Sequence, residues 1–311
     1  MLNRREFCVL SAAAAALAAS PAFAAANRIV FVHGRQQGGL DAGELKEGWV
    51  SSLTTALDKK GSKLPAGVDI RFPYYGDELD RLVAESKLPL VSGITARGDS
   101  TDPLLEFQAG LIDEMLQEAQ VPDALVDAEY GDNPKQRGPL NWEWVQASLR
   151  ALDKHTGLGE HVVEQFTRDV YLYLNSDRVR QVINGIVGQE FAGDNTIIVA
   201  HSLGTVVTYD LLRAPSSAVT VPLLMTLGSP LGIRSIRNAF RPLKRPQKLG
   251  RWINCYDDRD YVALYPLDDT HFALNPAIEN YAGVKNNSPG RHSILDYLSN
   301  ERVADEILAA A

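Results

Sequence analysis

Residues 196–209 read TIIVAHSLGTVVTY, with Ser202 near the middle. Ile197, Ile198, Val199 and Ala200 form an apolar, mostly β-branched run without alternation, the pattern of a strand buried on both faces of a parallel sheet. Helical spacing begins directly afterwards, with Leu203, Val206, Val207 and Leu211 on one stripe. The chain must therefore bend sharply within His201–Gly204, where small residues at Ala200 and Gly204 permit close approach of strand and helix. Ser202 stands at the apex. A bend of this kind exposes a hydroxyl and aims the next backbone N–H at the same space, the geometry of a nucleophile elbow. The competing reading is an ordinary helix-capping serine. The coincidence of strand, small-x-Ser-x-small spacing and amphipathic helix favours the elbow.

Outward from this stretch, Arg28–Val32 reads as a short buried strand ending at His33-Gly34-Arg35. A helix is expected from about Glu44, with Leu45, Trp49, Leu53, Ala56 and Leu57 on one face, then a second strand over Val68–Phe72. Strand, helix and strand at this spacing form a βαβ unit, so both strands open on the same sheet edge as Ser202. The stretch from Asp77 to Asn195 greatly exceeds the roughly dozen residues that a parallel crossover needs. A helical insertion is expected from about residue 78 to 190, with apolar stripes around Leu104–Leu116, Trp142–Leu152, Val162–Tyr173 and Val179–Val187. Its earlier helices are candidates for a cap over the active edge. Further buried strands are expected at Leu223–Leu227 and Arg251–Tyr256, with a weaker one at Ile278–Val284 and a closing helix through Leu298. The fold class is α/β, a mostly parallel sheet flanked by helices.

The 311-residue chain has ordinary apolar content, 23% charged residues and a formal net charge of −8. It can bury a full core, and its acidic balance without long basic runs argues against nucleic acid and anionic membrane surfaces as partners. Arg4 and Arg5 precede a charge-free, alanine-rich stretch ending in Ala22-Phe23-Ala24. This reads as a signal peptide over residues 1–24, with a twin-arginine character, cleaved after Ala24. Residues 25–311 are then an exported domain, periplasmic or secreted, without stable membrane insertion. Only Cys255 survives cleavage, so no intrachain disulfide forms and the core alone stabilises the protein.

A serine hydroxyl needs a neutral imidazole to take its proton and a carboxylate to fix that imidazole's tautomer. Of six histidines, His201 adjoins the serine and His33 ends a strand, while His155 and His161 fall in the insertion. His292 follows the last plausible strand and precedes the closing helix, which puts its loop on the active edge. His271 comes only eleven residues after Asp260, so His292 is favoured. The acid falls among Asp257, Asp258 and Asp260, in the loop after a sheet strand. Asp260 ranks first because Tyr261-Val262-Ala263 can bury it, and Asp257 second. At least one of the three is expected to bond its own backbone in the turn.

With these motifs in place, the chain from Ala25 to Ala311 resembles the α/β-hydrolase-fold serine hydrolases of the lipase and esterase type. The resemblance rests on His33-Gly34-Arg35, Ala200-His201-Ser202-Leu203-Gly204, Asp260-Tyr261-Val262 and His292, in the order nucleophile, acid, base. It implies oxyanion-binding N–H groups from Leu203 and Arg35. Ala200 replaces the family's usual glycine, and Arg35 stands where lipases mostly carry an apolar residue. Candidate pocket residues are His33, Gly34, His201, Tyr74, Tyr75 and Leu231, with Trp142 a further wall candidate. The expected activity is cleavage of a small-molecule carboxylic ester through an acyl-enzyme, with no metal or other cofactor. An acyltransferase, thioesterase or amidase would use the same triad. A non-catalytic binding protein on the same scaffold is the alternative from another class.

Overall fold

Strand β1 (Arg28–Val32) lies beside β3 (Thr196–His201) in parallel register, Val32 opposite Ala200, in a computed structural model that describes residues 26–90, 102–130, 141–193 and 195–311. The expected signal segment lies outside these residues. The other strands are β2 (Asp69–Arg71), β4 (Val221–Leu227), β5 (Leu249–Cys255) and β6 (Glu279–Tyr281), and the sheet order is β2-β1-β3-β4-β5-β6. Every pairing is parallel. From β1 the chain first moves outward to β2, then returns to the other side of β1 and continues in one direction. The order therefore reverses between β1 and β3. In an open α/β sheet such a switch point leaves a crevice beyond the carboxyl ends of the two strands. Gly34 and Ser202 are the residues that border it.

Strand residues alternate between two apolar layers. Ile29, Phe31, Ile197 and Val199 pack with Trp49, Leu53 and Leu57 of α1 (Ala42–Asp58). Tyr297 and Leu298 of α10 (Ile294–Leu298) and Val303 and Ile307 of α11 (Glu301–Ala310) complete that layer. Val30, Val32, Ile198 and Ala200 face the opposite layer, with Leu203, Val206 and Val207 of α8 (Leu203–Arg213). The insertion joins this second layer through α2 (Gly76–Ser86), α3 (Pro103–Glu118), α4 (Asp123–Tyr130), α5 (Trp142–Thr156), α6 (Glu160–Asn175) and α7 (Asp177–Glu190). A five-residue helix, α9 (Arg234–Asn238), follows β4. Among the described residues, no helix is long and apolar enough to cross a membrane. Burial pushes the thiol of Cys255 up to about 12, so it packs as an unreactive apolar group.

The bend at Ser202 is tight. Ser202 has φ 54° and ψ −129°, a strained conformation for a residue with a side chain, costing on the order of 1–3 kcal/mol. Its N–H donates to Leu227 O at 3.1 Å, and its carbonyl accepts from both the N–H and the hydroxyl of Thr205. A Cβ on Gly204 would sit 2.4 Å from His33 O and 2.5 Å from Val32 O. Ordinarily Gly→Ala inside a helix is stabilising by up to about 1 kcal/mol. Here Gly204→Ala is expected to lower stability by about 1–3 kcal/mol through overpacking against rigid backbone. Urea unfolding of the variant checks the sign; a stabilised variant would contradict the close approach.

Candidate active site

Ser202, at the carboxyl end of β3, is 2% exposed and lines a cavity of about 470 Å³ together with His292. As the first residue of α8, Leu203 has an N–H without an intrahelical acceptor, and the helix N-terminus adds positive potential to the same point. Gly34 follows β1 on the other side. A Cβ there would lie 2.7 Å from Ser202 Cβ, so only glycine lets the first strand's exit pass against the elbow.

His292 lies just before α10, and its Nδ1 meets Asp260 Oδ2 at 2.6 Å. The other ring nitrogen, Nε2, is buried and has no hydrogen-bond partner among the described residues. Asp260 follows β5 and has its side chain fully buried, with Oδ1 accepting from the N–H groups of Val262 and Ala263. Tyr297 completes its shell: the phenol accepts from the Asp257 N–H at 3.1 Å and donates to Asp260 Oδ2 at 2.7 Å. Burial and the adjacent Asp260 hold the Tyr297 phenol well above its ordinary pKa, so it remains a donor. Asp257, the second-ranked acid, is buried elsewhere in the loop and is not bonded to His292. Its carboxylate accepts from the N–H groups of Arg259 and Asn286, the first being the local turn expected of an aspartate here. Since Asn286 also donates to Ser293 O, Asp257 pins the loop that carries His292. His271 pairs with Asp268 instead.

His201 lies with its ring 4.5 Å from that of His292 and its Nε2 3.1 Å from His292 O. Burial drives its pKa well below normal, so a neutral Nε2–H donates to that carbonyl and braces His292 from behind. His33 is fully buried beneath the first strand's exit. Its Nε2 accepts from the Tyr75 N–H at 3.0 Å, which leaves the proton on Nδ1 to donate to Gly34 O at 2.6 Å. Burial lowers the His33 pKa to about 4. A histidine whose pKa falls on folding stabilises the folded state fully above its unfolded value of 6.5. That contribution is lost as pH falls toward 4, amounting to about 3 kcal/mol. Urea unfolding between pH 7 and pH 4 should therefore show a smaller acid loss in His33→Gln than in the native chain; identical pH dependences would contradict a buried neutral imidazole.

The cavity walls differ from those expected. Gly34 and His201 do line it, whereas His33, Tyr74, Tyr75 and Leu231 do not. Tyr75 and Leu231 are fully buried in the core, and Tyr74 spends its hydroxyl on Gln37 O and Asp77. The side chain of Trp142 lies outside the described residues. The apolar part of the walls comes instead from Leu40, Leu45 and Trp49 on one side, with Asp41 and Glu44 beside them, and from Ile294 and Leu295 on the other. Leu40 and Leu295 remain 49% and 43% exposed at the rim, an unusual exposure for large apolar side chains. No described residue from 78 to 190 is among those lining this cavity, so these residues do not cap it. Arg35 also lines the cavity, but its side chain is held away from it. That side chain is 8% exposed and turned onto α6, with Nε on Asp169 at 2.8 Å and a second nitrogen on Gln165. A second cavity, of about 430 Å³ among α3, α4 and α5, has no serine, cysteine or histidine among its described lining residues.

Comparison of the chain with protein-family models, curated proteins and solved structures finds no match. The reading of the site therefore rests on its geometry and chemistry.

Two residues of the site carry only weak signals in the sequence. Gly228 directly follows β4 with φ 57°, and a Cβ there would lie 2.9 Å from His292 Cε1 and 3.1 Å from Asp260 Oδ2. Its place at a strand end before Ser229-Pro230 marks a turn without showing what packs over it. Tyr297 reads as a core aromatic on a helical stripe, and only the folded chain brings its hydroxyl to Asp260.

Proposed function

We propose that this chain is a serine hydrolase of the α/β-hydrolase fold, of esterase or lipase type, that cleaves a carboxylic ester through an acyl-enzyme. One observation carries the reading: a histidine fixed through Nδ1 by a buried carboxylate leaves an unpartnered Nε2, and shares a cavity with a serine held in a strained bend. Ser202 Oγ attacks the ester carbonyl as His292 Nε2 takes its proton, and Asp260 stabilises the imidazolium that forms. The oxyanion is received by the N–H groups of Leu203 and Arg35. On collapse the C–O bond breaks, His292 gives its proton to the departing alcohol, and water repeats the sequence on the acyl-enzyme. Ser202 and His292 share no hydrogen bond among the described contacts, which fits a resting site that tightens when substrate arrives.

The apolar rim of Leu40 and Leu295, continued by Leu45, suits an uncharged acyl or alkyl group. We further propose that residues 1–24 are an export signal and that the enzyme works outside the cytoplasm. A chain-length series of p-nitrophenyl esters tests the reading, with competing alcohols added to separate hydrolysis from acyl transfer. A burst of p-nitrophenol equal to the enzyme concentration, followed by slower turnover, is expected. The absence of turnover across the series would overturn the proposal.

A further inference from the structure

The insertion supplies no described wall of the cavity, yet one of its helices reaches the residue expected to donate to the oxyanion. Asp169 and Gln165, one turn apart on α6, both bind the guanidinium of Arg35, at 2.8 Å each. Gln165 also accepts from Gln36 at 3.0 Å. The Arg35–Asp169 pair is buried, with side chains 8% and 3% exposed, and Arg168 approaches the same carboxylate at 3.2 Å.

The segment after β1 needs such an anchor. It contains Gly34, Gly38 and Gly39, and Gln36 and Gly39 have φ of 60° and 73°, so its intrinsic conformational freedom is high. Its two ends are held from elsewhere: His33 Nδ1 fixes the Gly34 carbonyl, Tyr74 binds Gln37 O, and Asp77 accepts from the Gly39 N–H. Between them, Arg35 is tied to the rest of the molecule through its side chain on α6. A planar guanidinium held by two acceptors fixes direction as well as position.

We propose that Asp169 is a positioning residue for the reaction, and that helix α6 of the insertion, acting through Arg35, holds the second oxyanion-binding N–H in place. This rests on the reading of Ser202 as the nucleophile and of the Arg35 N–H as an oxyanion donor. Breaking the clamp frees that N–H to wander, and the penalty falls where negative charge develops. Full loss of one such donor costs about 10²–10³-fold in kcat, which bounds the effect. Asp169→Asn and Arg35→Ala are each expected to lower kcat by about 10- to 100-fold while KM moves little. Both remove one clamp, so the double variant should be no slower than the slower single one.

Three readouts separate positioning from general damage. Affinity for a trifluoromethyl ketone, whose adduct with Ser202 carries the oxyanion, should fall in parallel with kcat. Amide hydrogen exchange of residues 34–40 should quicken in Asp169→Asn, with β3 and β4 unchanged. Asp169→Glu, which keeps the charge, should recover part of kcat. An Asp169→Asn protein with native kcat and native ketone affinity would overturn the inference, as would additive losses in the double variant. A native chain without Ser202-dependent turnover would instead overturn the underlying assignment of the nucleophile.

Discussion

Ser202→Ala is expected to lower kcat for an activated ester by about 10⁵- to 10⁶-fold, with the fold intact. On the proposed mechanism the magnitude follows from removing a nucleophile whose base and carboxylate act only through it. Residual catalysis would come from the oxyanion N–H groups and binding alone. Because the side chain is small and Ala tolerates the same space, thermal stability should change little. His292→Ala should cost a similar amount, and the double variant no more than either single one, since the two residues work as a unit. Steady-state rates on one p-nitrophenyl ester check all three; activity surviving in Ser202→Ala would remove the mechanism.

Asp260→Asn is the second large effect, expected at about 10⁴-fold in kcat. Asp260 Oδ2 holds the proton of His292 on Nδ1, which leaves Nε2 as the basic nitrogen. An amide at position 260 can present its NH2 to the ring and reverse the tautomer, placing a proton on Nε2 where the hydroxyl's proton must go. That NH2 would also face the Tyr297 hydroxyl, which must then accept from it instead of donating, while Oδ1 keeps the N–H groups of Val262 and Ala263. Asp257→Asn provides the contrast. It touches the loop through Asn286 rather than the ring, so its cost should appear mainly as lower stability. A larger rate loss in Asp257→Asn than in Asp260→Asn would reverse the assignment of the acid.

Much of this arrangement is legible in the sequence where burial is uniform. The run Ile197–Ala200 and the stripe beginning at Leu203 mark β3 and the start of α8, because the middle of a strand covered on both faces has no polar residue to confuse its period. Helices α2 and α4 escape such a reading for the opposite reason. Gly76–Ser86 buries only Gly76, Leu79 and Leu82, and Asp123–Tyr130 only Val126, so neither has an apolar stripe wide enough to register. The C-terminus is expected to close with one helix and instead has two. Asn300 caps α11 by accepting from Arg302 and Val303, which restarts the chain after Leu298.

At the site, order along the chain selects Ser202, Asp260 and His292, and the distances join the last two. What sequence pattern lacks is direction. Asp257 and Asp260 both follow β5, and only the path of the loop turns one toward His292 and the other toward Asn286. Arg35 similarly carries no local sign that its partner is Asp169, far along the chain. The pocket walls are misread because α1 and α10 approach each other across the sheet edge through tertiary packing, a contact without a local signature.

The most direct test is stoichiometric labelling with a fluorophosphonate followed by peptide mass spectrometry. The expected result is one label per chain, on Ser202, formed quickly in the native protein and slowly in His292→Ala. A label on another residue, or no label on a protein that still turns over esters, would contradict the assignment of Ser202 as a nucleophile activated by His292.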